Sequence, residues 1–169
     1  ATVTVFGGAG FLGGHVSDQL SKAGYNVRIF DKKKSPWLCD DQEMIIGNLL
    51  DEDAVSDAIK GSDVVYNFAA IADLNVALSE PKNTIHVNVL GNLNVLESCR
   101  EYGVERFIYA STVYVNSREG SFYRISKQAS EQLVEEYHQL YGLEYTILRY
   151  GSIYGPRSDE HNGLFRIVR

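Results

Sequence analysis

The chain is poor in cysteine, with only Cys39 and Cys99 among its 169 residues. They stand far apart and have no metal-ligand spacing, so neither a disulfide framework nor a cysteine-based metal site is implied. A reducing compartment, the cytoplasm, is the expected setting. No apolar run reaches the roughly 18 residues of a membrane span, and no signal-peptide pattern is visible. Positive charge is in deficit: 16 basic against 22 acidic residues give a net charge of −6. That balance excludes the electrostatic footprint of a nucleic-acid or anionic-membrane binder. The one basic run, Lys32-Lys33-Lys34, is too short to change this and reads as a solvated loop. Repeats, low-complexity tracts and linkers are missing too. A hydrophobic content of 44% with 22% charged residues is instead that of one globular domain able to bury a core.

What is present begins at once. Thr2 to Phe6 is short, β-branched and apolar, as suits a strand buried on both faces. Glycine follows at positions 7, 8, 10, 13 and 14, and an amphipathic helix is expected from His15 to Ala23. Strand, glycine turn and helix place a helix N-terminus where a diphosphate can approach the backbone. Two registers fit, Gly8-x-Gly10-x-x-Gly13 and Gly7-x-x-Gly10-x-x-Gly13, and both are dinucleotide fingerprints in this context. The second strand, Asn26 to Asp31, ends in an acid 18 residues beyond Gly13. A carboxylate there suits both ribose hydroxyls and repels a 2′-phosphate, which favours NAD over NADP.

Strand and helix patterns then alternate to the end. Glu43–Ile46 reads as a third strand, and Asp51-Glu52-Asp53 as caps opening a helix to Ile59. The fourth strand, Asp63–Phe68, ends in Ala69-Ala70. Small residues there admit a flat ring or phosphate, and close packing explains them almost as well. A helix over 82–102 buries Ile85, Val89, Leu93, Leu96 and Cys99. Asn88 and Asn92 share another face, as exposed residues or, for Asn88, within reach of a cofactor. The fifth strand, Glu105–Ala110, runs into Ser111-Thr112, a helix covers 121–141, and Glu144–Arg149 is the sixth strand. Six β units joined by helices imply an α/β fold with a doubly wound parallel sheet, and ligands bind beyond its strand ends.

Tyr123 and Lys127 lie four apart on one helical face. A phenol with a pKa near ~10 is a poor base at neutral pH. A neighbouring ammonium and a cationic nicotinamide both favour its phenolate. A hydroxyl from Thr112 or Ser111 can bond the same substrate oxygen. Such a set removes the proton of a secondary alcohol while its carbon gives up hydride.

These motifs, in this order, resemble the extended short-chain dehydrogenases/reductases, the NAD-dependent epimerase/dehydratase family of nucleotide-sugar enzymes. The likeness rests on Gly7-Gly8-Ala9-Gly10-Phe11-Leu12-Gly13, Asp31, Gly47-Asn48-Leu49, Ala69-Ala70, Asn88-Val89-Leu90-Gly91 and Ser111-Thr112. Tyr123-Arg124-Ile125-Ser126-Lys127 and Leu148-Arg149-Tyr150-Gly151-Ser152-Ile153-Tyr154-Gly155-Pro156 complete it. The resemblance implies an NAD(P)-binding Rossmann fold over 1–169, with a truncated substrate-binding region starting at about 150–169 and most of the substrate lobe absent. It implies Tyr123 as base, Thr112 as its hydroxyl partner, and Lys127 holding the nicotinamide ribose and tuning Tyr123. NAD would lie along Gly7, Gly10, Phe11, Leu12, Gly13, Asp31, Asn48, Leu49, Ala69, Ala70, Asn88, Ser111, Tyr123 and Lys127. No metal is implied. Pairing of two copies through the helices at 82–102 and 121–141 is a further expectation. With that site in place, the wider Gly7-Gly10-Gly13 register is the better one.

The departures are informative. Asn48 stands where the family usually has an Asp for the adenine amino group, and its carbonyl can accept the same bond. Ser152 stands where Asn is usual. The step from Thr112 to Tyr123 is only 11 residues, shorter than in galactose epimerases. Val113-Tyr114 replace the Asp-Glu of members that eliminate water, so an epimerase or reductase acting on a nucleotide-linked sugar is favoured over a dehydratase. The rival reading is a non-catalytic dinucleotide-binding sensor or partner-binding module.

Overall fold

Three valine- and isoleucine-rich segments lie side by side at the centre of the sheet: β1 (Thr2–Phe6), β2 (Asn26–Asp31) and β4 (Val64–Asn67). With β3 (Gln42–Ile46), β5 (Arg106–Thr112) and β6 (Glu144–Tyr150) they form a six-stranded parallel sheet in the order β3-β2-β1-β4-β5-β6. The structure, a computed structural model, describes residues 1–159 and 167. The chain winds outward from β1 to β3, then crosses back to β4 beside β1. Phe6 at the end of β1 is therefore paired with Phe30 on one side and Asn67 on the other. The crevice opens where the winding direction reverses, above the carboxyl ends of β1 and β4.

The helices are α1 (Phe11–Lys22), α2 (Glu52–Ile59), α3 (Leu74–Ser79), α4 (Pro81–Ile85), α5 (Gly91–Glu101) and α6 (Ser121–Tyr141). A π-turn, His86–Leu90, joins α4 to α5, and a 3₁₀ turn, Val113–Asn116, follows β5. The principal core joins Phe6, Phe30, Val65, Phe107 and Tyr109 of the sheet to Val55, Leu96 and Val134 of the helices. Each such side chain contributes about 1.5–3 kcal/mol by leaving water. A smaller cluster of Val3, Val5, Val27 and Ile29 packs with Leu20 of α1 on the other face. Asp51 caps α2 by accepting from the Ala54 amide at 3.1 Å, as expected of an acid at a helix start.

Three local features differ from the sequence reading. First, α1 begins at Phe11 and not at His15, with Gly13 and Gly14 inside it. Glycine costs a helix about 1 kcal/mol, but a Cβ on Gly13 would lie 2.3 Å from the Gly7 carbonyl oxygen, so close backbone packing prevails. Second, α3 is unforeseen, being too short to show helical periodicity. Asp73 caps it, accepting from the amides of Asn75 and Val76 at 2.8 and 3.1 Å. Third, the helix expected over 82–102 carries the π-turn, and Asn88 and Asn92 are buried in it. Ser130 of α6 donates to the Asn88 carbonyl at 2.8 Å, satisfying an acceptor at this turn.

Both cysteines are free, and no helix among the described residues is long and apolar enough to cross a membrane.

Candidate active site

Two adjoining cavities lie along the crevice. One, of about 440 Å³, is bounded by Asp31, Asn48, Leu49 and Ala69. The other, of about 600 Å³, is bounded by Ser111, Thr112, Tyr123 and Lys127, and by Phe11, Leu12 and Gly13 at the start of α1. Gly7, Gly10, Phe68 and Ala70 border both, so the two form one elongated cleft with the glycine turn at its waist.

The waist is built from backbone. Gly7 has φ +77°, and a Cβ there would meet the Ala69 amide nitrogen at 2.6 Å. Gly10, the N-cap of α1, has no side chain to offer the first amides of the helix, and the first turn contains no acid. Those amides have no partner within the helix. A narrow turn of this kind, under a 12-residue helix, fits the diphosphate of a dinucleotide. In the smaller cavity the Asp31 carboxylate accepts from the Ala9 amide at 3.1 Å, which fixes its position at the end of β2. The Asn48 carbonyl accepts from the Leu50 amide at 3.0 Å in a tight turn and retains one lone pair. Lys32 and Lys33 border the same cavity.

The larger cavity is built from buried side chains. Lys127 is 3% exposed and donates to the Ala110 carbonyl at 2.7 Å. Its Nζ lies 4.7 Å from the Tyr109 ring centre and 5.8 Å from that of Tyr123. Burial pushes the Lys127 pKa down to about 7, against an opposing pull from Glu131. Lys127 by itself does not lower the Tyr123 pKa, and the fall expected from a cationic nicotinamide is a separate contribution. Burial raises the Tyr123 pKa, and the hydrogen bond with Thr112 offsets this only in part. The reason is that a buried phenolate loses hydration, whereas Lys127 is itself easily neutralised and spends one proton on Ala110.

Other expectations change as well. Asn88 borders neither cavity. Its side-chain Oδ1 accepts from the Ile71 amide at 2.7 Å, and its NH₂ donates to the Ile71 carbonyl at 3.0 Å and to Ser126 Oγ at 2.9 Å. These bonds hold the loop after β4. Ser111 borders the cavity but donates its proton to Glu131 at 2.5 Å, which leaves Thr112 as the hydroxyl beside Tyr123. Residues that sequence reasoning missed are Phe68 and Tyr150, which border the cavity, and Glu131, buried behind it. Glu131 follows Lys127 by four residues, so helical spacing alone places it on the same face. Among the described residues no cluster of His, Cys, Asp and Glu has the makings of a metal site.

Beyond β6, Gly151 and Ser152 line the larger cavity, and the chain then returns to α1. His15 Nε2 lies 2.7 Å from the Pro156 carbonyl. Arg157 pairs with Asp18 at 2.7 Å and lies 5.0 Å from the centre of the Trp37 ring.

The chain is similar to known proteins along its whole length. A putative UDP-glucose 4-epimerase of Methanocaldococcus jannaschii is 31% identical over 93% of this chain and 57% of its own length. A UDP-N-acetyl-alpha-D-glucosaminuronate decarboxylase of Bacillus cytotoxicus is 31% identical over 92% of this chain and 56% of its own. Among solved structures, the UDP-glucose 4-epimerase of Thermotoga maritima, with UDP-glucose, superposes with a TM-score of 0.91 at 31% identity, covering 99% of this chain and 61% of that one. The Thermus thermophilus UDP-glucose 4-epimerase in complex with NAD gives 0.89 at 36% identity, with coverage of 96% and 59%. The chain thus spans rather more than half the length of these relatives. The model of one family matches it from residue 3 to residue 168, taking in the glycine turn and both cavities, and the chain accordingly belongs to the NAD-dependent epimerase/dehydratase family.

Proposed function

We propose that the chain is the nucleotide-binding part of an NAD-dependent enzyme that epimerises a nucleotide-linked sugar by way of a keto intermediate. The observation that carries this reading is one cleft with a glycine waist and Asp31 in one half, and Thr112, Tyr123 and Lys127 in the other. NAD supplies the acceptor for hydride from the sugar carbon and then returns it. Asp31 takes the adenosine ribose, Asn48 and Leu49 border the adenine, and the waist takes the diphosphate. Ala69 and Ala70 flank it without bulk.

In the reactive half, Tyr123 accepts the proton of the substrate hydroxyl as hydride leaves, and gives it back when hydride returns. Thr112 bonds the phenol and orients it. Lys127, poised near neutrality at about 7, stabilises the phenolate at the moment it forms. It is also placed to bond the nicotinamide ribose. With NAD bound, hydride returned to the opposite face of the ketone would invert the carbon, and to the same face would restore the substrate. Val113 and Tyr114 follow Thr112 where an acid and a base are needed to expel water, which supports epimerisation or simple reduction over dehydration. Residues 1–169 form the nucleotide-binding domain, with the start of the substrate region at about 150–169. Of that segment, residues 160–166, 168 and 169 lie outside the described residues. The helices at 82–102 and 121–141 expose Leu90, Ile125, Leu140 and Tyr141, which suits the pairing of two copies there; sedimentation of the protein as a monomer would remove that part of the reading.

The test is turnover by the full-length protein supplied with NAD and, in turn, UDP-glucose, UDP-galactose, UDP-glucuronate and UDP-N-acetylglucosamine. The expected result is interconversion of epimers, seen by NMR, without accumulation of NADH. Stoichiometric NADH would make the protein an oxidoreductase. Tight NAD binding with no turnover of any of these sugars would favour the nucleotide sensor.

A further inference from the structure

Behind the reactive half, Glu131 is 6% exposed and is one helical turn beyond Lys127 on α6. A buried carboxylate is costly unless its oxygens are bonded and its charge has a partner. Here the oxygens are bonded from three directions. Ser111 Oγ donates to Oε1 at 2.5 Å, and Arg149 donates from Nε to Oε1 at 3.1 Å and from Nη2 to Oε2 at 2.8 Å. These donors come from β5 and β6, so the carboxylate is clamped from two strands at once.

We propose that Glu131 is a positioning residue: its clamped carboxylate, one helical turn from Lys127, is the counter-charge that favours the ammonium form of that side chain. This inference rests on the role given to Lys127 above. Arg149 does not cancel the effect, because its side chain is 44% exposed and screened by water, whereas that of Glu131 is 8% exposed. Asp73 lines the same cavity, and among the described residues the groups in printed contact with the Lys127 ammonium carry no charge. From β5 come the Tyr109 ring and the Ala110 carbonyl, and from α6 the neutral Tyr123. The π-turn presents Asn88, which does not ionise, and His86, which is exposed. The opposing pull of Glu131 on the Lys127 proton agrees with this placement.

The test is an NMR titration of the full-length protein labelled with ¹³Cε-lysine, without substrate or cofactor. The Lys127 resonance is identified by its loss in Lys127→Met. In the wild type its midpoint is expected at about 7. Glu131→Gln keeps an acceptor for Ser111 and removes the charge, and the midpoint should fall by roughly one pH unit or more. If Glu131→Gln does not fold, Glu131→Gln/Arg149→Gln removes the unpaired guanidinium, and a smaller fall is expected. An unchanged or higher midpoint in the variant that folds overturns the proposal. The titration needs no turnover, so failure of the proposed activity and failure of this inference are separate results.

Discussion

The two halves of the cleft solve different problems with different materials. The half lined by Asp31 and the glycine turn is made largely of backbone: glycines that allow close approach, helix amides with no partner inside the helix, and a carboxylate held by the Ala9 amide. The half lined by Thr112, Tyr123 and Lys127 is made of side chains largely withdrawn from water, whose acidities depend on what surrounds them. A binding site needs space and direction, which glycine spacing supplies locally. Proton transfer needs tuned groups, and tuning is set by burial and by charges brought from elsewhere in the chain.

The contrast can be broken most decisively at Tyr123. Tyr123→Phe should lower kcat by about 10²–10⁴-fold, the usual worth of a general acid–base, while NAD affinity measured by calorimetry stays within a few-fold. A comparable loss of NAD affinity would mean that the halves are not separable. Gly13→Ala attacks the other half. Its Cβ would be 2.3 Å from the Gly7 oxygen, and overpacking of about 1–3 kcal/mol corresponds to a roughly 10–100-fold loss of NAD affinity. Asp31→Asn removes the charge that repels a 2′-phosphate. The ratio of NADP to NAD dissociation constants should drop about tenfold, on the scale of one charge-assisted hydrogen bond.

The smallest effect is on stability. The Lys127 pKa falls from 10.5 in an exposed setting to about 7 in the fold. A base so depressed carries its full penalty below pH about 7, and the penalty fades as pH rises towards 10.5. Lys127→Met should therefore stabilise the protein by about 1–2 kcal/mol at pH 7 and by little at pH 10. Urea unfolding at both pH values checks the sign: a gain that grows with pH would contradict the burial argument.

The same division explains what was legible beforehand. The parallel sheet and its strand ends followed from alternating apolar segments, and the glycine turn from spacing, since both depend on neighbours in sequence. The site was less so. Asn88 has the right position along the chain, yet its side chain is spent on Ile71 and Ser126. Ser111 and Thr112 are adjacent and chemically alike, and only the presence of Glu131 behind one of them tells them apart. The direction of the Tyr123 shift turned on desolvation, a property of the packed molecule that no short motif encodes.

The π-turn at His86–Leu90 has a consequence for how this chain tolerates insertion and deletion. Loops absorb the loss of a residue by shortening their path. A helix cannot: removing one residue turns everything upstream by about 100° relative to everything downstream. Upstream lies Asn83, which with Val87 of the turn itself borders the cavity that holds Asp31. Downstream lies Asn92, which accepts from Asn67 at 2.8 Å, while Asn67 in turn accepts from the Ala69 amide at 3.0 Å. The extra residue of the π-turn thus works as a phase correction, bringing two stretches of one helix into step with the same cleft. Restoring a regular helix there would improve its local hydrogen bonding and put the cleft wall out of phase with its floor.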